Sequence, residues 1–191
     1  MTRTFIALEM NEALQLHLGK TLRHLAQALP NARWVDPASI HLTLAFLGEL
    51  TDKQLAEVAQ ATSATARQAA RFSYSLTRLG IFGSPRRPQV IWMGIEEPSG
   101  KLLHLHRLLN QQLVQRGFEV DTRPFSPHLT LARVKAPLTA QELQLLQSML
   151  SNRSQGIVST DMYLVQHLNV MKSELSRAGA QYTCLQEYAL S

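Results

Sequence analysis

The chain repeats one five-residue string. His41-Leu42-Thr43-Leu44-Ala45 recurs letter for letter as His128-Leu129-Thr130-Leu131-Ala132, 87 positions later. Histidine is the side chain whose ordinary pKa lies near neutrality, so it gives or takes a proton with little tuning. Two imidazoles on opposite sides of a phosphoryl group divide the labour of an in-line displacement. One deprotonates the attacking water while the other protonates the departing oxygen. In a strand, side chains alternate faces, so Thr43 shares a face with His41 and Thr130 with His128, while the leucines point into a core. A threonine hydroxyl so placed donates to a non-bridging phosphate oxygen, and an arginine nearby would hold the charge that builds there. Arg133 is the nearest candidate, five residues after His128. Odd spacing puts it nominally on the opposite face, so a bulge or the twist of the strand end must bring it round.

Other chemistries find less support. A zinc site needs a third and usually a fourth ligand, and no Cys pair, His-Glu-x-x-His or neighbouring carboxylate accompanies the two strings. There is no Gly-x-Ser-x-Gly elbow for a serine hydrolase and no Gly-rich phosphate loop. His17 and His24 lie beside a leucine stripe, and His104 and His106 are two apart on a predicted helix, where they do not face one point. A lone histidine on a strand is commonly structural. A core explains why leucine recurs, but not why histidine and threonine recur with it.

The elements that must position these residues are read from periodicity. Residues 3–9 alternate as a strand, with Phe5, Ala7 and Glu9 on one side and Ile6 and Leu8 on the other. Asn11 caps a helix whose stripe of Leu14, Leu18, Leu22, Leu25 and Leu29 ends near Pro30. A short strand at 32–35 precedes the first motif strand, 40–46, which Gly48 closes. Thr51 and Gln54 cap the next helix, to about Ala69. Strands at 72–79 and 90–95 flank a loop, Gly83-Ser84-Pro85-Arg86-Arg87-Pro88, whose two arginines suit either a backbone phosphate or a solvated turn. A helix over 99–116 ends at Gly117, the prolines at 124 and 127 force an extended approach to the second motif strand at 128–134, and Thr139 with Glu142 caps a further helix. Three strands, at 156–163, 165–172 and 181–188, complete the chain. Helices alternate with strands, but adjacent strand pairs keep recurring. That predicts an α+β fold with antiparallel sheets, not a doubly wound parallel one.

Composition agrees with an ordinary globular chain: 191 residues, 45% hydrophobic and 17% charged. The net charge of +5 suits a polyanionic ligand such as nucleic acid. One cysteine, Cys184, excludes an intramolecular disulfide and fits a reducing compartment; its setting in a strand suggests a small packing residue. The start has no extended apolar run, and no stretch nears 18 apolar residues. No signal peptide or membrane span is therefore expected, and the expected location is cytoplasmic.

Two His-x-Thr-x motifs this far apart, with these flanks, resemble the two-histidine (2H) phosphoesterases, and within them the RNA 2′,3′-cyclic phosphodiesterase branch historically called 2′-5′ RNA ligase. The resemblance runs through Arg3-Thr4-Phe5-Ile6-Ala7-Leu8, Trp34-Val35, His41 to Gly48, Pro88 to Gly94, Phe125 to Val134 and Gly179-Ala180-Gln181-Tyr182-Thr183. It implies a single two-lobed, pseudo-symmetric domain over residues 1–191, with outer helices and a cleft lined by both motifs. It further implies metal-independent, cofactor-free opening of an RNA-terminal 2′,3′-cyclic phosphate to a 2′-phosphomonoester, with reversible 2′-5′ ligation possible in principle. Carried over by position, His41 is the proton donor to the 3′-oxygen and His128 the base that activates water. Thr43 and Thr130 bind phosphate oxygens with Arg133 assisting, and Phe46 packs either on the terminal nucleotide or into the strand end. The last strand ends Leu185-Gln186-Glu187-Tyr188-Ala189-Leu190 where relatives often carry Trp-Pro. The expected partner is an RNA end, tRNA-derived ends included, met by a monomer without membrane association. Small cyclic nucleotides, ADP-ribose cyclic phosphate and non-catalytic RNA-end binding are the alternative readings.

Overall fold

The computed structural model describes residues 1–151, 161–176 and 179–191. Its elements are β1 (Thr2–Glu9), α1 (Glu12–Ala28), β2 (Arg33–Trp34), β3 (His41–Leu50), α2 (Asp52–Ala66), β4 (Phe72–Ser84), β5 (Arg87–Glu96), α3 (Lys101–Val114), β6 (His128–Arg133), α4 (Ala140–Ser151), β7 (Tyr163–Val165), β8 (His167–Ser176) and β9 (Gly179–Ala189). A single 3-10 turn, Pro37–Ser39, precedes β3. The order matches the sequence reading, and the fold is α+β. One sheet runs β3-β1-β8-β9 and the other β2-β6-β5-β4-β7, and every paired strand is antiparallel.

Alternation decides which face of each strand meets the helices. Ile6 and Leu8 of β1 join the main core with Leu14, Leu18 and Leu22 of α1. Phe5 and Ala7, on the other face, pack with Met171 in a separate small cluster under Tyr182. Leu42, Leu44, Leu129 and Leu131 are all buried in the main core. The first sheet therefore has a second face that its helices do not cover, and His41 lies on it.

The helix ends obey their sequence signals. Asn11 Oδ1 accepts the Leu14 N–H at 2.9 Å, and Thr51 with Gln54 forms a reciprocal capping box. Gly117, at φ 81°, reverses the chain after α3 so that the Phe118 N–H donates to the Leu113 carbonyl at 3.1 Å. Glu142 does more than cap α4. Its carboxylate accepts the Thr139 N–H (2.8 Å) and hydroxyl (2.9 Å), and also the backbone N–H (3.0 Å) and side-chain amide (2.9 Å) of Asn31.

Those donors, Asn31's side chain and backbone first, hold the Glu142 carboxyl down to about 2. A carboxyl depressed in the folded state stabilises it fully above the unfolded pKa of about 4.3 and loses that contribution as pH falls through the folded value. Wild type should therefore out-melt Glu142→Gln at neutral pH, and the gap should close progressively on acidification below about pH 4.3. A gap that stays constant down to about pH 2 would show that the carboxylate charge contributes nothing.

Three boundaries differ from the sequence reading. β3 continues past Gly48 to Leu50, because Gly48 takes φ 72° within the strand where the pairing with β1 shifts by one residue. The β4–β5 hairpin runs to Ser84 and Arg87, so the predicted loop is largely paired strand. The predicted strand at 165–172 is divided at Gln166, where the chain leaves the five-stranded sheet for the four-stranded one and the Gln166 carbonyl accepts the Leu190 N–H at 2.8 Å. Residues 156–160 of the strand predicted at 156–163 lie outside the described residues. Cys184 is exposed on β9 rather than packed inside. Burial of the thiol's immediate surroundings and the nearby Glu9 push its pKa up, which makes it a poor nucleophile.

Candidate active site

Both histidines are set by the backbone just ahead of them. Asp36 and Pro37 start the 3-10 turn, with Asp36 Oδ1 accepting the Ala38 N–H at 3.0 Å. The turn presents the Ser39 carbonyl to His41 Nδ1 at 2.9 Å. In the second copy the extended segment between Pro124 and Pro127 presents the Ser126 carbonyl to His128 Nδ1 at 2.7 Å. A carbonyl only accepts, so each Nδ1 carries the proton and each Nε2 is the nitrogen left for chemistry. The same tautomer is thereby imposed twice. Both contacts use a backbone carbonyl, which every residue carries, so the identity of the residue two before each histidine does not encode them.

Each motif strand then bulges at the same letter. Thr43 pairs with Ala7 and Ala45 with Ile6, which leaves Leu44 extra; Thr130 pairs with Trp92 and Ala132 with Ile91, which leaves Leu131 extra. Leucine and alanine are consequently buried side by side in both copies. A one-residue bulge reverses the parity of the residues beyond it. Phe46 and Arg133, each five residues after its histidine, return to the histidine–threonine face. Phe46 is 70% exposed, which removes the reading of it as a buried strand end. Its ring centroid is 5.9 Å from that of Phe5, which lies 4.8 Å from His41. The same position of the repeated motif thus carries an aromatic ring next to Phe5 in one copy and a cation in the other.

The two motif strands belong to different sheets, yet they meet. β2 pairs with β6, Arg33 opposite Arg133 and Trp34 opposite Ala132, and the Val35 N–H donates to the Leu131 carbonyl at 2.9 Å. Only residues 35–40 separate that edge from His41, so the chain itself lays β3 against β6. Arg133 consequently acts on His41. Burial pushes the His41 pKa below the ordinary histidine value, the Ser39 carbonyl opposes that, and the Arg133 charge lowers it further. His41 should titrate below about 6.5 in an NMR pH series, and Arg133→Gln should raise its pKa by removing one of the two lowering causes. Inorganic phosphate, bound between them, should raise it also. A His41 pKa indifferent to both changes would mean that Arg133 does not face it.

Each imidazole sits in an aromatic setting that spacing alone did not disclose. Tyr182 of β9 lies edge-on to His41 with centroids 4.8 Å apart. Phe82 of β4 lies edge-on to His128 at 4.9 Å, and Trp92 of β5 is 6.0 Å away. Trp92 lies flat over Gly80, where an added Cβ would fall 2.2 Å from its ring. His106, set aside in the sequence as a helix residue, stacks on Phe125 at 3.9 Å and braces the segment that supplies the Ser126 carbonyl. His24 and His104 are exposed elsewhere. Among the described residues, no three His, Cys, Asp or Glu side chains group as a metal site. No described helix is long and apolar enough to cross a membrane.

The sequence and the fold are shared with known proteins. The model of the 2′-5′ RNA ligase superfamily matches residues 13–174, both motifs included. The chain belongs to that superfamily. It is 31% identical over 188 residues to the RNA 2′,3′-cyclic phosphodiesterase of Methanothermobacter thermautotrophicus, covering 98% of both chains. It is 33% identical over 133 residues to the protein of the same name from Thermotoga maritima, covering 70% of each. Among solved structures, a protein of Thermus thermophilus superposes with a TM-score of 0.81 at 26% identity, covering 98% of this chain and 97% of its own. Escherichia coli LigT complexed with 3′-AMP gives 0.75 at 25% identity, covering 100% and 98%. The chain is thus a 2H phosphoesterase by family and by fold.

Proposed function

We propose that this enzyme adds water to the 2′,3′-cyclic phosphate at the end of an RNA and leaves a 2′-phosphomonoester and a 3′-hydroxyl. The observation that carries this reading is the pair of histidines with Nδ1 tied to a backbone carbonyl in each copy, so that two Nε2 atoms are available on adjoining strands. Relatives named RNA 2′,3′-cyclic phosphodiesterase, and LigT solved with 3′-AMP, support the substrate class. His128 Nε2 takes a proton from water as its oxygen bonds to phosphorus. The bond from phosphorus to the 3′-oxygen breaks, and His41, which enters the step as the imidazolium, protonates that oxygen from Nε2. The histidines have then exchanged protonation states, and proton exchange with solvent resets them. Thr43 and Thr130 donate to the non-bridging oxygens, Arg133 offsets the charge that builds on them, and Phe46 packs on the terminal nucleotide.

The setting of His41 fits its role. Burial and the Arg133 charge make His41 hold its proton less tightly than an ordinary histidine, and a donor is more effective the more acidic it is. The incoming anion screens Arg133 and so favours the protonated imidazole that donates. Phosphorus NMR of an oligonucleotide ending in a 2′,3′-cyclic phosphate, in EDTA, tests the reading. The expected product is the 2′-phosphate. A 3′-phosphate, strict dependence on added metal, or binding without product would each overturn it.

A further inference from the structure

We propose that the β4–β5 hairpin carries the RNA chain away from the cyclic end, with the penultimate base against Phe82 and the next backbone phosphates on Arg87 and Arg86. This rests on the reading of the substrate as an RNA end. The terminal nucleotide has one base, and Phe46 takes it. Phe82 is nonetheless 40% exposed while lying edge-on to His128 at 4.9 Å and 5.5 Å from Trp92. A second uncovered ring beside the reacting centre is what a second base would stack on, and such stacking is tolerant of base identity.

The hairpin's register then decides where its arginines go. Counting from Trp92 and Val90 by strict alternation, Arg87 falls on the far face. The pairing, however, runs Phe82 with Val90, Gly83 with Pro88 and Ser84 with Arg87, which leaves Gln89 extra. That bulge places Ser84 and Arg87 on the face that carries Phe82. Two residues of strand, roughly 6.6 Å, separate Phe82 from Ser84. The tip is also rigid. Ser84 Oγ accepts the Arg87 N–H at 3.1 Å, and Gly83, at φ 96°, packs so tightly that an added Cβ would sit 2.6 Å from the Arg87 carbonyl oxygen. Arg86 and Arg87 are exposed, and neither guanidinium pairs with a carboxylate among the described residues. Two unpaired cations, Arg87 on the face of the exposed ring and Arg86 beside it in the turn, complement the phosphates of a single strand and not the lone phosphate of a mononucleotide.

The experiment compares kcat/KM for a 2′,3′-cyclic mononucleotide with that for a pentanucleotide ending in the same group. In the double variant Arg86→Ala, Arg87→Ala, the pentanucleotide should lose roughly tenfold at low salt. Mononucleotide turnover should stay within about twofold, because its only phosphate is at the histidines. The slope of log kcat/KM against log salt for the pentanucleotide should become shallower by about 1.4, two single-strand phosphate contacts. Arg86→Lys, Arg87→Lys keeps the charges and should keep most of the slope, whereas damage to the turn itself would not be rescued this way. Equal losses on both substrates, or an unchanged pentanucleotide, would overturn the hairpin track while leaving the phosphodiesterase reading intact. If wild type opens neither substrate, both fall together.

Discussion

Replacing His128 by alanine should slow the opening of a 2′,3′-cyclic phosphate by about 10²–10⁴-fold, the range supplied by a positioned general base. Replacing His41 should cost a comparable amount, and the double variant little more, because acid and base serve one displacement and their effects do not add. The loss should lie in kcat, since neither imidazole is needed to seat the nucleotide. The roles can be told apart with an activated diester whose leaving group is p-nitrophenolate. Such a group departs without a proton, so His41→Ala should retain far more of its activity on it than His128→Ala does. The opposite ranking would reverse the assignment of donor and base. Full activity in either single variant would remove the paired-histidine mechanism altogether.

Replacing Arg133 by alanine should lower kcat by about 10²–10³-fold, the cost of losing a preorganised charge aimed at the developing oxyanion. Arg133→Lys should recover part of this, as a point charge without the planar fork. The counterpart change, Phe46→Ala, occupies the same motif position in the other half and should behave differently. It removes stacking area and no charge, so it should raise KM with little change in kcat. A rate loss for Phe46→Ala equal to that for Arg133→Ala would show that the two positions do not divide these tasks. The contrast is worth measuring because both residues reach the site by the same device, the bulge at Leu44 and at Leu131.

That device marks the limit of what one-dimensional reading could reach. The repeated string determined that His41, Thr43, His128 and Thr130 share polar faces and that four leucines are buried, because side-chain alternation is a property of any extended strand. The element order and the helix caps at Asn11, Thr51 and Thr139 were also legible, since each is set by neighbours within a few residues. The place of Arg133 was not. By alternation it belonged to the far face, and only its pairing with β5, which skips Leu131, turns it back. Arg87, at the strand end of the hairpin, obeys the same rule through Gln89. Nor could spacing show Phe82, Trp92, Phe5 and Tyr182 around the two imidazoles, as these come from strands that lie side by side only when both sheets have formed. The sequence by itself singled out the candidate reacting groups and the face each occupies within its own strand. Only the tertiary structure decided register, and register chose which charges and rings surround them, because a bulge exists only relative to the partner strand that fails to match it.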